Sequence, residues 1–283
     1  MNELYLQQVV REALVEDIGS GDVTTSLLIS AGSESTAHLI AHQELVVAGT
    51  EAAELAFTLL DPSVRFDLKA PDGTHVEPDE QIAVISGETA PILSAERVAL
   101  NFLQRMSGIA TLTRRYVEQS EGLEVRIADT RKTTPGLRIL EKQAVRAGGG
   151  VNHRMGLYDG ILIKENHLRA LGAHALERAI EQAHEGAHHL MKVEVEVSSA
   201  DAAEAAARAG ADGILLDNMA VAEMTDAAKR IRSVSEYVII EASGSISLDN
   251  VREVAQTGVD IISVGSLTHS APAVDISLEF VQS

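Results

Sequence analysis

The chain has 283 residues, with 23 Lys+Arg against 42 Asp+Glu, a formal net charge of -19 and a mean hydropathy of +0.06. That length holds one large or two moderate domains. The acidity argues against wholesale nucleic-acid binding, which needs a basic face, and the absence of cysteine excludes disulfides, thiolate metal sites and thiol nucleophiles.

Leu4, Leu6, Val9, Val10 and Leu14 recur at helical spacing and predict a first helix ending in the polar loop EDIGSGDVTT. This amphipathic start, bearing Glu3, Arg11 and Glu12, lacks the pattern of a signal peptide, and the apolar runs are shorter than the roughly 20 residues that cross a bilayer, so a cytoplasmic protein is expected. Glu34–His42 and Val64–Leu68 read as strands, with a helix between them over Thr50–Leu60, capped by Thr50 and stopped by Asp61-Pro62. Pro71-Asp72-Gly73 is a turn and Ile82–Ser86 a short strand. A long helical pattern runs from Pro91 to Ser120, with Ser107-Gly108 permitting a kink or break. The mixture is that of an α+β domain.

Beyond residue 120 the rhythm becomes regular. Apolar strands at Val125–Ala128, Ile161–Ile163, Val193–Val197, Gly213–Leu216, Val238–Ile240 and Asp260–Val264 alternate with helices at Leu137–Ala147, Ala170–Glu185, Ala200–Ala209, Met219–Ile231 and Leu248–Thr257. Such alternation means a parallel sheet covered by helices. Nearly every strand ends in polar chemistry: Asp129, Lys164, Glu194 and Glu196, Asp217, Glu241 with Ser243-Gly244, and Gly265-Ser266. Loading every strand end favours a barrel, whose carboxyl ends converge on one mouth, over an open sheet with one switch point. There are fewer strands than the usual eight, so the (β/α) barrel is expected to be incomplete. The tail Asp275–Phe280 reads as a further strand, returning to the first domain.

The segment Arg126–Arg169 reverses the sign of the whole chain, with nine Lys or Arg against four acids. Cations gathered in an acidic protein point to an anionic ligand, with Arg suited to planar bidentate pairing. The ordinary alternative is a pair of helices with solvated basic faces. Two short loops, Ala242-Ser243-Gly244-Ser245 and Val264-Gly265-Ser266, follow late strands and suit phosphate. Glu194 and Glu196 share one parity in VEVEV and should face inward, where a carboxylate needs a cation or a metal. Lys164 allows a second mechanism, a Schiff base of the aldolase type, although nearby acids favour a charged anion binder. His153-Arg154 follows three glycines on a loop, His167 is a lesser candidate, and Arg105 by itself reads as a solvated helix residue.

Together EDIGSGDVT, LNFLQRMSGIAT, ADTRKTTPGLR, EKQAVRAGGGVNHRMGLYDGILIKENH, VEVEV, LLDN, EASGSI and SVGSLTHS resemble the quinolinate phosphoribosyltransferase family, the carboxylating nicotinate-nucleotide pyrophosphorylases, from Glu16 to Ser270. The resemblance implies an N-terminal sandwich domain over 1–118, joined by the tail 271–283, and a catalytic incomplete barrel over 119–270. It implies transfer of phosphoribosyl from phosphoribosyl pyrophosphate to quinolinate, with loss of CO2, in NAD biosynthesis and with Mg2+. It further implies a homodimer in which Arg105 enters the partner's site, reversing the plain interpretation of that residue. Arg131, His153 and Arg154 match quinolinate-binding positions, beside Thr130, and Lys132 and Lys164 match lysines near the dicarboxylate and pyrophosphate. Glu196 and Asp217 match acids that contact ribose hydroxyls or Mg2+. Ser243, Gly244, Ser245, Val264, Gly265 and Ser266 match the phosphate loops. A related phosphoribosyltransferase-like enzyme with another substrate is the nearest rival, and the full basic set at Arg131, His153 and Arg154 argues for a dicarboxylate.

Overall fold

The computed structural model describes residues 3–172 and 175–281. Leu6, Val10 and Leu14, spaced four apart, form the buried stripe of helix α1 (Glu3–Ile18). The polar run after it, expected as a loop, leads into helix α2 (Val23–Leu28), because the Asp22 carboxylate accepts the Thr25 N–H at 2.9 Å and caps it. Then come β1 (Glu34–Ala41), β2 (Leu45–Val46), α3 (Thr50–Thr58), β3 (Arg65–Leu68), β4 (His75–Val76) and β5 (Gln81–Glu88). Thr50 is not the cap of α3. The Asp72 carboxylate accepts the Gly49 and Thr50 N–H groups at 3.0 Å each and the Thr50 hydroxyl at 2.7 Å, so the turn at residues 71–73 caps this helix from a distance.

Helix α4 (Thr89–Gln119) runs unbroken through Ser107-Gly108, against the expected interruption. Both residues serve close packing. Ser107 is fully buried and its hydroxyl accepts the Ala48 N–H at 3.0 Å, while a Cβ on Gly108 would overlap the Pro272 carbonyl. The chain continues through β6 (Arg126–Ala128), α5 (Arg138–Ala147), β7 (Ile161–Ile163), α6 (Glu165–Leu171) and α7 (Ala175–Gly186). Next are β8 (Val193–Val197), α8 (Ala200–Arg208), β9 (Gly213–Asp217), α9 (Val221–Val234), β10 (Ile239–Ser243), α10 (Val251–Ala255), β11 (Ile261–Ser263), α11 (Ser266–His269) and β12 (Ile276–Phe280). The single helix expected over 170–185 is thus two.

The chain divides into two compact units. The first takes the residues up to Arg114, Thr133–Gly149 and the chain from Leu267 onward; the second takes Arg115–Lys132 and Gly150–Ser266. Segment 133–149, which the sequence grouped with the parallel sheet, packs within the first unit because α5 carries buried charge. Glu141 and Lys142 are each 1% exposed, and Glu141 holds Arg105 of α4 at 2.8 Å. The first unit has an antiparallel sheet in the order β12-β1-β5-β3 and a two-stranded sheet of β2 and β4. The tail strand β12 pairs with β1 from Ala37↔Phe280 to Ala41↔Ile276.

The second unit is a six-stranded sheet in the order β6-β11-β10-β9-β8-β7, with every pairing parallel. Sequential strands are neighbours from β7 to β11, and β6 pairs with the last of them. A cyclic order with one seam, between β6 and β7, is a barrel lacking closure. Residue Val151 lies at the β6 edge of that seam, bridging Ala128 and donating its N–H to the Ile127 carbonyl at 2.8 Å. Val193, Val195 and Val197 are buried and leave Glu194 and Glu196 on the opposite face. Ala203, Ala206 and Ala207 of α8 and Ala227 and Ala228 of α9 are buried, since small side chains let these adjacent helices lie close. Each buried Val or Leu of such a core contributes about 1.5–3 kcal/mol.

Candidate active site

Parallel register lines up the strand ends. Ile163 pairs with Val195, Val197 with Leu216, Asp217 with Ser243, Ser243 with Ser263, and Ser263 with Ala128. Lys164, Glu196, Asp217, Ser243 and Asp129 therefore stand on one rim. Here lies a cleft of about 270 Å³ lined by Thr130, Arg131, Lys132, His153, Arg154, Lys164, Glu196, Asp217, Glu241, Ser243 and Ser263, with Leu162 and Leu215. A larger cavity of about 650 Å³ in the first unit offers Arg65 alone as a cation, beside Glu34 and Glu88, and suits no anion.

The loop that carries His153 and Arg154 is pinned from below. Asp129, fully buried at the end of β6, accepts the His153 N–H at 2.9 Å and the Asn152 amide at 2.6 Å. The Arg154 guanidinium donates to the Gly160 carbonyl at 3.0 Å. Nε2 of His153 lies 3.3 Å from Glu194 Oε2 and 3.4 Å from Glu241 Oε2. Burial alone would lower the His153 pKa, but hydrogen bonding to Glu194 and Glu241, with their charges, overrides it and raises the value from 6.5 to about 9. Burial in turn raises Glu194, opposed by the His153 hydrogen bond.

The ring's other nitrogen pulls the opposite way. Nδ1 accepts the Arg154 N–H at 2.7 Å, which belongs to the neutral ring, so charging His153 has to open that contact. In either state Nε2 keeps its proton, because it faces two acceptors. The ligand atoms of His153, Glu194 and Glu241 come within 4.8 Å of one another, close enough for a metal ion. A metal needs the Nε2 lone pair, however, and that atom presents N–H to the carboxylates. With no metal bound, the ring proton is what the two carboxylates face.

The remaining charges are set for an anion. The Arg154 guanidinium is disfavoured first by burial and then by the charge of Arg131, with Glu194 a smaller compensation. Lys164 Nζ lies 2.5 Å from Glu196 Oε2, an ion pair that ties the end of β7 to β8 and engages the amine that a Schiff base would use. Asp217 accepts the Asn218 side-chain amide at 3.0 Å. Glu196 and Asp217 offer hard oxygen ligands of the kind Mg2+ takes, one or two carboxylates with phosphate oxygens supplying the rest.

Of the residues singled out in the sequence, Thr130, Arg131, Lys132, His153, Arg154, Lys164, Glu196, Asp217 and Ser243 line the one cleft. Gly244, Ser245, Val264, Gly265 and Ser266 do not line it but follow the neighbouring strands β10 and β11. Ser245 donates to the Asn218 side chain at 3.1 Å, and a Cβ on Gly244 would overlap that same side chain. Arg105 lies in the first unit, where it donates to Glu141, to the Ala271 carbonyl at 2.8 Å and to the Thr268 carbonyl. His167 is a helix-start residue whose Nδ1 accepts the Lys164 N–H at 2.9 Å. Glu241 and Asp129 were noted only as strand-end acids, and Glu194 as an inward-facing carboxylate in need of a cation or a metal; the signal for Glu241 was its position two residues before Ser243, on the same strand face.

The sequence profile of the quinolinate phosphoribosyl transferase N-terminal domain matches residues 22–107, and that of the C-terminal domain matches 109–279. A Bacillus subtilis protein named a probable carboxylating nicotinate-nucleotide pyrophosphorylase is 43% identical over 279 residues, covering 99% of this chain and 94% of its own length. The decarboxylating quinolinate phosphoribosyltransferase 1 of Nicotiana glauca is 41% identical over 295 residues, covering 97% and 82%. The solved nicotinate-nucleotide pyrophosphorylase of Francisella tularensis superposes with a TM-score of 0.92 at 36% identity, covering 99% of this chain and 98% of that one.

Proposed function

The chain belongs to the quinolinate phosphoribosyltransferase family, whose reaction it carries out in NAD biosynthesis, and we propose that its substrates meet in the strand-end cleft. Quinolinate and phosphoribosyl pyrophosphate give nicotinate mononucleotide, pyrophosphate and CO2. The observation that carries this placement is the opposition of Arg131 and Arg154, two guanidinium charges in one partly buried cleft. A ring with two carboxylates relieves both at once, and each fork is directional.

His153 and Thr130 complete the dicarboxylate end, and Lys132 stands between it and the pyrophosphate. Lys164 takes the pyrophosphate, with its partner Glu196 turned to the ribose hydroxyls. As pyrophosphate leaves, positive charge builds on the ribose, and the carboxylates of Glu196 and Asp217 stabilise it. The ribose phosphate is held by the loops 243–245 and 264–266, whose glycines let an anion approach the backbone. Glu196 and Asp217 would hold Mg2+, which when bound supplies positive charge to the pyrophosphate. Once ribose is attached, the positive ring nitrogen stabilises the electron pair that departing CO2 leaves on the adjacent ring carbon, and that carbon then takes a proton from water, so the step needs no protein base.

The oligomer is part of the same reading. In a homodimer, Arg105 is supplied to the partner's quinolinate, leaving its own unit's Glu141. Two functional domains at 1–118 with 271–283, and at 119–270, and a cytoplasmic location belong to it too. Among the described residues no helix is long and apolar enough to cross a membrane. The direct test is product analysis with quinolinate or with nicotinate as acceptor. Quinolinate should give nicotinate mononucleotide and nicotinate almost none; equal turnover of the two would remove the dicarboxylate from the account.

A further inference from the structure

Glu241 is an expensive residue in an unexpected place. It sits within β10 at 2% exposure, and its Oε1 has no hydrogen-bond partner. Burying a carboxylate costs several kcal/mol unless its partners compensate. The sheet gains nothing from it, since the β10 ladder is made by backbone groups and an apolar side chain would fill the space. It pairs with His153, 3.4 Å away.

We propose that Glu241 is a positioning residue for dicarboxylate capture: with Glu194 it fixes the His153 ring, next to Arg154, beneath the cleft. The inference deepens the functional reading above and rests on it. Two acceptors on different strands, β8 and β10, hold Nε2 between them at 3.3 and 3.4 Å. This sets the direction of Nδ1, which accepts the Arg154 N–H at 2.7 Å in the neutral ring and carries a proton of its own in the charged one. Asp129 fixes the same loop from the β6 side. A side chain anchored at two points on rigid strands is held in one rotamer, and Arg154 then starts from a fixed backbone. Glu241 and Glu194 hold His153 from below, and His153 and Arg154 side by side face the substrate. Glu241, His153 and Arg154 also line a second cavity, of about 390 Å³, at the amino ends of the strands, so the acid acts from the floor and not from the mouth.

The arrangement has a pH signature. The charged groups around the ring are Glu194 on β8, Glu241 on β10, Asp129 beyond β6, and Arg131 and Arg154 on the loops. Lys192 and Asp212 line the lower cavity. Glu241 is one of the two groups that favour an added proton on His153, so removing its charge makes the ring titrate at lower pH.

The test is Glu241→Gln in the full-length protein, with steady-state kinetics from pH 6 to 10 and a ring-nitrogen NMR titration of His153 without ligands. The quinolinate KM should rise roughly tenfold while the phosphoribosyl pyrophosphate KM and kcat stay within about twofold. The pH at which quinolinate KM climbs, and the His153 midpoint, should both move down by about one unit. Glu194→Gln should shift both in the same direction and carries the test if Glu241→Gln does not fold. An unchanged quinolinate KM with an unmoved His153 midpoint overturns the proposal, as does an equal loss in both KM values and kcat, the mark of a merely structural residue. If the wild-type protein does not turn over quinolinate, the functional reading fails instead, and the ligand-free titration still decides whether Glu241 governs His153.

Discussion

Arg131 opposes the charge on Arg154 in a cleft where burial already disfavours it. Guanidinium does not deprotonate in proteins, so a bound dianion eases the repulsion between the two. Arg154→Ala should lower kcat/KM for quinolinate by about two to three orders of magnitude, through KM, because a bidentate charge-assisted pair is lost. Arg154→Lys should recover only a small part, having no planar fork. Steady-state kinetics with quinolinate varied checks both.

His153 sets a second expectation, this one in stability. Its folded-state pKa of about 9 lies above the ordinary 6.5, so the proton stabilises the folded chain fully below pH 6.5 and the benefit fades as pH rises toward 9. Urea unfolding across that window should show wild type losing on the order of 1–3 kcal/mol relative to His153→Gln. The difference between the two proteins should be largest on the acid side and small above pH 9.

Gly108→Ala separates two effects of opposite sign. Ala gains about 1 kcal/mol over Gly inside a helix, but here its Cβ would overlap the Pro272 carbonyl. Overpacking against backbone costs about 1–3 kcal/mol, more than the propensity returns. The variant should melt several degrees lower than wild type in calorimetry, although an exposed Gly→Ala in a helix would melt higher.

Arg105 tests the proposed dimer. Mixed subunits of Arg105→Ala and Lys132→Ala build one intact site per heterodimer if Arg105 is shared, so random exchange should restore about a quarter of wild-type sites. Activity that stays at the level of the separate variants after demonstrated subunit exchange would place Arg105 with its own Glu141 instead.

Much of this architecture was legible in the sequence because parallel strands buried on both faces write themselves as apolar runs, and polar residues stand out where the runs end. Lys164, Glu196 and Asp217 could be set on one rim from that alone. What stayed hidden depends on partners distant in the chain. The cap of α3 comes from Asp72, more than twenty residues beyond the N–H groups it accepts. Ser107-Gly108 looks like a helix breaker, and only the close approach of Pro272 reveals a packing site. Segment 133–149 follows a barrel strand in sequence, yet buried Glu141 and Lys142 draw α5 into the first unit. Glu241 was seen but given no role, since a carboxylate two residues inside a strand acquires meaning only when His153 arrives from a loop almost ninety residues away.

The central claim is that one cleft joins the two substrates and that CO2 leaves only after the ribose is attached. Carboxyl-labelled quinolinate, incubated with the protein and Mg2+, measures this directly. Labelled CO2 should appear only when phosphoribosyl pyrophosphate is present, in step with nicotinate mononucleotide. Release without the second substrate, or none with it, would contradict the account.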